Sequence, residues 1–326
     1  MGIELKAANA WTIGDKLATR EAYGKALVDL GDQNTNVVVL DADLSSSTQT
    51  KLFAAKFPDR FFNMGIAENN MMGVAAGLAR AGKIPYASSF AMFAAGRAWE
   101  FVRNSIAHNH LAVKICATHA GLTVGEDGAS HQIIEDIAIM RAIPTMTVIV
   151  PADATEAYQA TMLLADHDAP TYLRLGRAKC PVVYDDSYRF EIGKASILKA
   201  GSQVTLIACG MMVSRALEAA QALALEGIDV EVINSASIKP LDSKTICESA
   251  RKTSKVITME EHNIIGGLGE AVAACLMESG VGADFKRMGV KDIFGQSGDA
   301  YKLLDHYGLA VSDIIHETKS ILKRSN

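Results

Sequence analysis

The sequence predicts an α/β fold of two doubly wound domains, and three observations carry that prediction. Short apolar runs, VVVL (37–40), AVKICAT (112–118), TMTVIV (145–150) and TYLRL (171–175), alternate with segments of helical length and periodicity. The runs are apolar nearly throughout, which is the pattern of parallel strands covered on both faces. The rhythm breaks at GRAKCPVVYDDSYRFEIG (176–193), where polar and turn-forming residues gather, and then resumes. The expected domains are therefore 1–185 and a smaller 186–326.

In chain order, helical periodicity over 16–30 is expected to stop at Gly31, and VVVL reads as a buried strand stopping at Asp41. Helices are expected at 68–80, 96–107, 131–140 and 154–165. The second alternation runs VTLIAC (204–209), a helix at 213–225, DVEVIN (229–234), a helix at 244–251, KVITME (255–260) and a helix at 268–277. No short-period repeat or low-complexity tract interrupts it.

With 326 residues, 49% hydrophobic and 21% charged, the chain can bury a sizeable core in about two domains. A net charge of -5 provides no basic face for nucleic acid, so small molecules and proteins are the expected partners. No apolar run reaches the ~18 residues of a membrane span. The opening MGIELKAANAW lacks an apolar signal-type core, and a cytoplasmic protein is expected. Cys116, Cys180, Cys209, Cys247 and Cys275 form no CxxC pair and read as buried free thiols of a reducing compartment.

One acidic side chain, Glu68, opens the stretch GIAENNMMGVAAGLARAG. A carboxyl group desolvated among apolar side chains keeps its proton to higher pH and can act as a donor. Equally, an acidic residue in a first helical turn interacts well with the helix dipole, and periodicity alone favours that simpler role. Downstream, GEDGASHQ (125–132) reads as a glycine-bearing loop feeding a helix. It places Asp127 and His131 four apart in a turn-rich segment where both can face one cleft. The histidines have no helical metal-ligand spacing, so no metal site is expected in this chain.

GIAENNMMGVAAGLARAGKIPYASSFAMF, followed by THAGLTVGEDGASHQ, resembles the pyrimidine-binding domain of the transketolase family of thiamine-diphosphate enzymes. LATREAYGKAL, DADLSSS, YLRLGRA and EEHNIIGGLGEAVAA extend the likeness from about Thr12 to the C-terminus. The matched region corresponds to the later two domains of a full-length transketolase, a pyrimidine-binding domain and a smaller C-terminal domain.

The resemblance implies that Glu68 hydrogen-bonds N1' of the cofactor's aminopyrimidine, that Phe93 stacks on that ring and that Phe90 lines the same recess. Where full-length relatives carry an aromatic three residues after the second Phe, this chain has Gly96, so the wall is looser there or Trp99 fills it. Asp127 and His131 would bind sugar hydroxyls. The cationic or potentially cationic Arg20, His119 and Arg177, with Ser47, would grip a sugar phosphate, for which the arginine fork is suited. Asp43 would lie near the cofactor at a subunit interface.

The GDG motif with a following Asn pair, which holds Mg²⁺ and the diphosphate in the family, is missing. IIGGLGE (264–270) is no substitute, and tight strand-to-helix packing accounts for it. The resemblance thus implies a split transketolase: a separate diphosphate-binding subunit supplies Mg²⁺, and the pair assembles as an α2β2 heterotetramer acting on sugar phosphates. Two alternatives are a β subunit of a 2-oxo acid dehydrogenase E1 component and a non-catalytic scaffold of the same fold. GEDGASHQ and the Arg20, His119, Arg177 set speak against the first, and retention of Glu68, Phe93 and His131 against the second.

Overall fold

Strands buried along their whole length sit at the centre of each sheet in the computed structural model, which describes residues 11–325. The first ten residues, part of the stretch read for a signal sequence, lie outside this range. In chain order the strands are β1 Lys16–Leu17, β2 Val37–Asp41, β3 Phe61–Asn63, β4 Ile84–Phe90, β5 Lys114–Thr118, β6 Thr147–Ile149 and β7 Thr171–Arg174. They continue as β8 Cys180–Pro181, β9 Ser196–Lys199, β10 Val204–Ala208, β11 Val230–Asn234, β12 Ser237–Lys239, β13 Lys255–Asn263 and β14 Asp284–Val290.

The first sheet has the order β12-β6-β7-β5-β4-β2-β3 and the second β14-β13-β10-β11-β9. Within each, the strands run parallel except for one antiparallel edge, β12 on β6 and β9 on β11. Every position of β2, β5, β6, β7, β10 and β11 is buried, because helices cover both faces. The α/β, doubly wound architecture is as expected. β12 comes from beyond residue 186 yet completes the sheet of the first half, so the two halves share a strand pairing as well as a core.

Several elements differ from the periodicity. The first helix is Thr19–Gln33 rather than 16–30. Lys16 and Leu17 are drawn off to pair antiparallel with Pro181 and Cys180. Gly31 does not stop the helix; a Cβ there would lie 2.3 Å from the Phe57 ring, so glycine serves close packing. The segment expected as one helix at 96–107 consists of two wide π-type turns, Met92–Arg97 and Val102–Ala107, flanking Trp99–Phe101.

The helix expected at 131–140 begins only at Asp136. Residues 131–135 are held out as loop, the Ile133 carbonyl accepting from Gly121 N at 3.0 Å and the Ile134 carbonyl from Asn263 N at 2.8 Å. β4 went unread because Pro85 and two serines interrupt its apolar run, although it is a central strand. The helix Leu268–Glu278 confirms tight packing for IIGGLGE: Leu268 N and Gly269 N donate to the buried Glu260 carboxylate at 2.6 and 2.8 Å.

One buried ion pair ties the layers together. Arg174 Nε donates to Asp136 Oδ2 at 2.7 Å, Tyr172 OH donates to the same oxygen at 2.7 Å, and Arg174 Nη2 donates to the Glu261 carbonyl at 3.0 Å. Burial pushes the Asp136 carboxyl up, but the Arg174 guanidinium, His262 and the Tyr172 hydroxyl together outweigh it and hold the group below the usual carboxylate range.

Candidate active site

The carboxyl ends of the parallel strands carry almost every residue singled out above, as expected of open α/β sheets, where ligands bind at that edge. The chain leaves β2 at Asp41, which burial pushes up in pKa. Its carboxylate accepts from Leu44 N (2.6 Å), Thr48 Oγ1 (2.7 Å) and Thr50 Oγ1 (2.9 Å). This buried carboxyl shapes the loop 41–50, on which Asp43 is exposed with φ 66° and accepts from Asn63 Nδ2 at 3.0 Å.

Glu68 is the first residue of the helix Glu68–Arg80, reached through Gly65 at φ 67°. It is 2% exposed. Arg97 Nη1 donates to its Oε2 at 3.0 Å, a contact suited to a carboxylate. Burial and an ion pair together go beyond the surface helix-start role that periodicity favours.

Beside it stands a group of flat rings. Phe90 ends β4, and Phe93 follows in the wide turn; their centroids are 6.0 Å apart and the planes within 13°. His131 meets the Phe93 ring edge-on at 5.5 Å. Arg97 lies across Phe93 with its guanidinium carbon 4.7 Å from the ring centroid. The space beside Gly96 is taken by Met92 and Ile133, not by Trp99, whose Nε1 donates instead to the Ile139 carbonyl at 3.1 Å.

Arg20, His119 and Arg177 do converge. Arg20 Nη1 donates to the Ser47 carbonyl at 2.7 Å, so Ser47 meets it through its backbone. Arg177 Nη1 donates to the Val124 carbonyl at 2.7 Å and to Glu126 Oε2 at 2.5 Å. Burial, with Arg20, Arg177 and His131 close by, lowers His119 to about 3. The His119 imidazole is thus neutral near pH 7, unlike the potential cation expected, and Arg20 and Arg177 are the charged members of this group. Of the two loop residues, His131 faces the rings, whereas Asp127 is exposed at the end of the turn Leu122–Asp127.

The second half of the chain builds this loop, which sequence reasoning missed. Thr123 N donates to the Glu261 carboxylate, and at Gly121, φ 79°, a Cβ would lie 2.6 Å from that group. Gln132 Nε2 reaches the carbonyls of Leu122 (2.9 Å) and Gln296 (3.0 Å), and Ser297 Oγ donates to the Glu126 carbonyl at 2.6 Å. Arg97 was missed as well; its only sequence signal was an arginine four residues after the second Phe.

The family model for the transketolase pyrimidine-binding domain matches residues 15–182, and that for the transketolase C-terminal domain matches 193–314. The chain belongs to the transketolase family. It is 50% identical over 309 residues to a protein from Methanocaldococcus jannaschii named as a transketolase C-terminal section, covering 94% of this chain and 96% of that one. A 6-deoxy-6-sulfo-D-fructose transketolase subunit from a Clostridium species is 39% identical, with 94% and 95% covered. Among solved structures, a split-gene transketolase described as an inactive β4 tetramer has a TM-score of 0.89 and 52% identity, covering 95% of this chain and all of that one.

Within the transketolase frame, the residues present fit the aminopyrimidine half of thiamine diphosphate: an aromatic face at Phe93 and a buried carboxyl at Glu68 are what a flat, nitrogen-edged heterocycle needs. Among the described residues, no group of three or more His, Cys, Asp or Glu is placed to hold a metal ion. No helix there is long and apolar enough to cross a membrane.

Proposed function

We propose that this chain is one subunit of a cytoplasmic, thiamine-diphosphate-dependent transketolase. It moves a two-carbon ketol unit from a ketose phosphate to an aldose phosphate, and a separate subunit holds the diphosphate and Mg²⁺, most simply as an α2β2 assembly. The observation that carries this reading is the buried Glu68 carboxyl joined through Arg97 to Phe93, with Phe90 bridging from Phe93 to His119 and the two arginines, Arg20 and Arg177, near that imidazole.

Bound thiamine diphosphate supplies a nucleophilic thiazolium carbon and an electron sink. Glu68 holds a proton on the pyrimidine N1' edge, Phe93 and Phe90 exclude water from the ring, and His131 orients a substrate hydroxyl and passes a proton there. Arg20 and Arg177 bind the anionic end of the sugar while neutral His119 donates a hydrogen bond. Asp127 binds a hydroxyl from the loop rim, and Asp43 stands at the edge that the partner covers.

Mixing the purified chain with a diphosphate-domain subunit, thiamine diphosphate and Mg²⁺ tests this. Ketol transfer from xylulose 5-phosphate is expected from the mixture and not from the chain alone, in keeping with the β4 relative described as inactive. A sulfosugar donor makes a second arm, because two arginines recognise a sulfonate by the same chemistry as a phosphate, and one relative is named for a sulfofructose substrate. Decarboxylation of pyruvate in place of transfer would overturn the assignment, as would full activity of the chain unaided.

A further inference from the structure

We propose that Arg97 occupies the seat of the aminopyrimidine ring and holds Glu68 as its ion-pair partner until the ring displaces it, so that Arg97 is a positioning residue governing cofactor loading. The proposal rests on the role given above to Glu68 and Phe93.

A bound aminopyrimidine has to satisfy two contacts at once, a flat face against Phe93 and an edge against the Glu68 carboxyl. The Arg97 guanidinium, itself planar, makes both, with its carbon 4.7 Å from the Phe93 ring centroid and Nη1 3.0 Å from Glu68 Oε2. A flat cation spanning these two groups fills the space that a flat heterocycle spanning them requires.

Local backbone geometry explains why the side chain reaches so far back. Ala98 N donates to the Phe93 carbonyl at 3.1 Å, an i+5 bond that widens the turn Met92–Arg97 and lays residue 97 over residue 93. Such single wide turns tend to occur at functional sites. The partners differ in mobility: Glu68 is 2% exposed, whereas the Arg97 side chain is 51% exposed and can swing into water without leaving a buried charge behind on itself. Glu68 would then be the unpaired member, and a ring nitrogen arriving at its carboxyl replaces the lost contact. The exchange keeps an unliganded acid from standing alone in an apolar recess, at the cost of competition with the ring.

The test measures thiamine diphosphate binding, by calorimetry and by stopped-flow fluorescence, to the full chain mixed with its diphosphate-binding subunit and Mg²⁺. Arg97→Ala is expected to bind roughly fivefold to tenfold more tightly and to load faster, the worth of one half-exposed ion pair plus one cation–π contact. Arg97→Gln, which keeps the stem and removes the charge, is expected to move the same way and serves if the alanine variant folds poorly by circular dichroism. In a Glu68→Gln background the gain from Arg97→Ala should shrink to about twofold or less, because the ion pair is already broken. Wild type binding while both Arg97 variants bind equally or more weakly overturns the proposal and leaves the function standing. No binding by wild type or by either variant overturns the cofactor reading itself, and the proposal with it.

Discussion

The imidazole of His119 lies flat on the phenyl ring of Phe90, with centroids 3.8 Å apart and planes 20° from parallel. Burial, with Arg20, Arg177 and His131 close by, keeps the ring neutral, with a pKa lowered to about 3. An unfolded histidine titrates near 6.5, so between these values the folded chain binds fewer protons, and this group makes stability fall as pH falls through that window. The His119 ¹³Cε1 resonance is therefore expected to stay flat from about pH 5 to 8. A titration midpoint inside that range would show that the imidazole carries charge beside Arg20 and Arg177.

Glu68→Gln keeps the shape of the side chain and removes its capacity to exchange a proton. Ketol transfer by the two-chain mixture should drop by about a hundredfold or more. Thermal melting and association with the partner are expected to stay near those of wild type. Turnover within a few-fold of wild type would remove Glu68 from the chemistry.

Arg177 sits on the loop carbonyl of Val124 and on Glu126. Its replacement by Ala should raise KM for a phosphorylated acceptor roughly tenfold, the loss of one charge-assisted hydrogen bond. Unphosphorylated analogues should be nearly unaffected. Equal losses on both kinds of acceptor would assign Arg177 to loop structure only.

Asp136→Asn leaves Arg174 buried without its counter-charge. Urea unfolding should show a loss of about 3–5 kcal/mol. A change under about 1 kcal/mol would mean that Tyr172 and the Glu261 carbonyl suffice to hold the guanidinium.

Glu156 is fully buried, and burial raises it to about 7 against the lowering effect of the Tyr188 hydroxyl, which donates to it at 2.5 Å. Between the unfolded value near 4.3 and about 7 the folded chain keeps a proton that the unfolded chain has lost, so stability declines as pH rises through that window. Glu156→Gln should abolish this component. The stability of wild type minus variant is expected to fall by on the order of 3 kcal/mol across the window. A difference that stays constant with pH would show that the carboxyl is ionised in the fold.

Much of the architecture was legible in one dimension because buried parallel strands are apolar at every position. VVVL, AVKICAT and VTLIAC announced β2, β5 and β10, and the helix Glu68–Arg80 was read to the residue. β4 was not, since Pro85 and its serines look like turn residues until the neighbouring strands surround them. Glu68, Phe90, Phe93 and His131 were singled out by the ordered series of motifs they belong to, and the structure brings them to the carboxyl edge of the first sheet.

The pattern of residue types along the chain was sufficient for the α/β class, which depends on local periodicity, whereas Glu68 was singled out by the ordered motifs that carry the family resemblance. The neutral state of His119, the Arg97–Glu68 pair and the support of the 121–132 loop by Glu261 and Ser297 required the fold. Each depends on groups far apart in the chain being packed within a few ångströms, where burial and pairing set charge states that no local window contains.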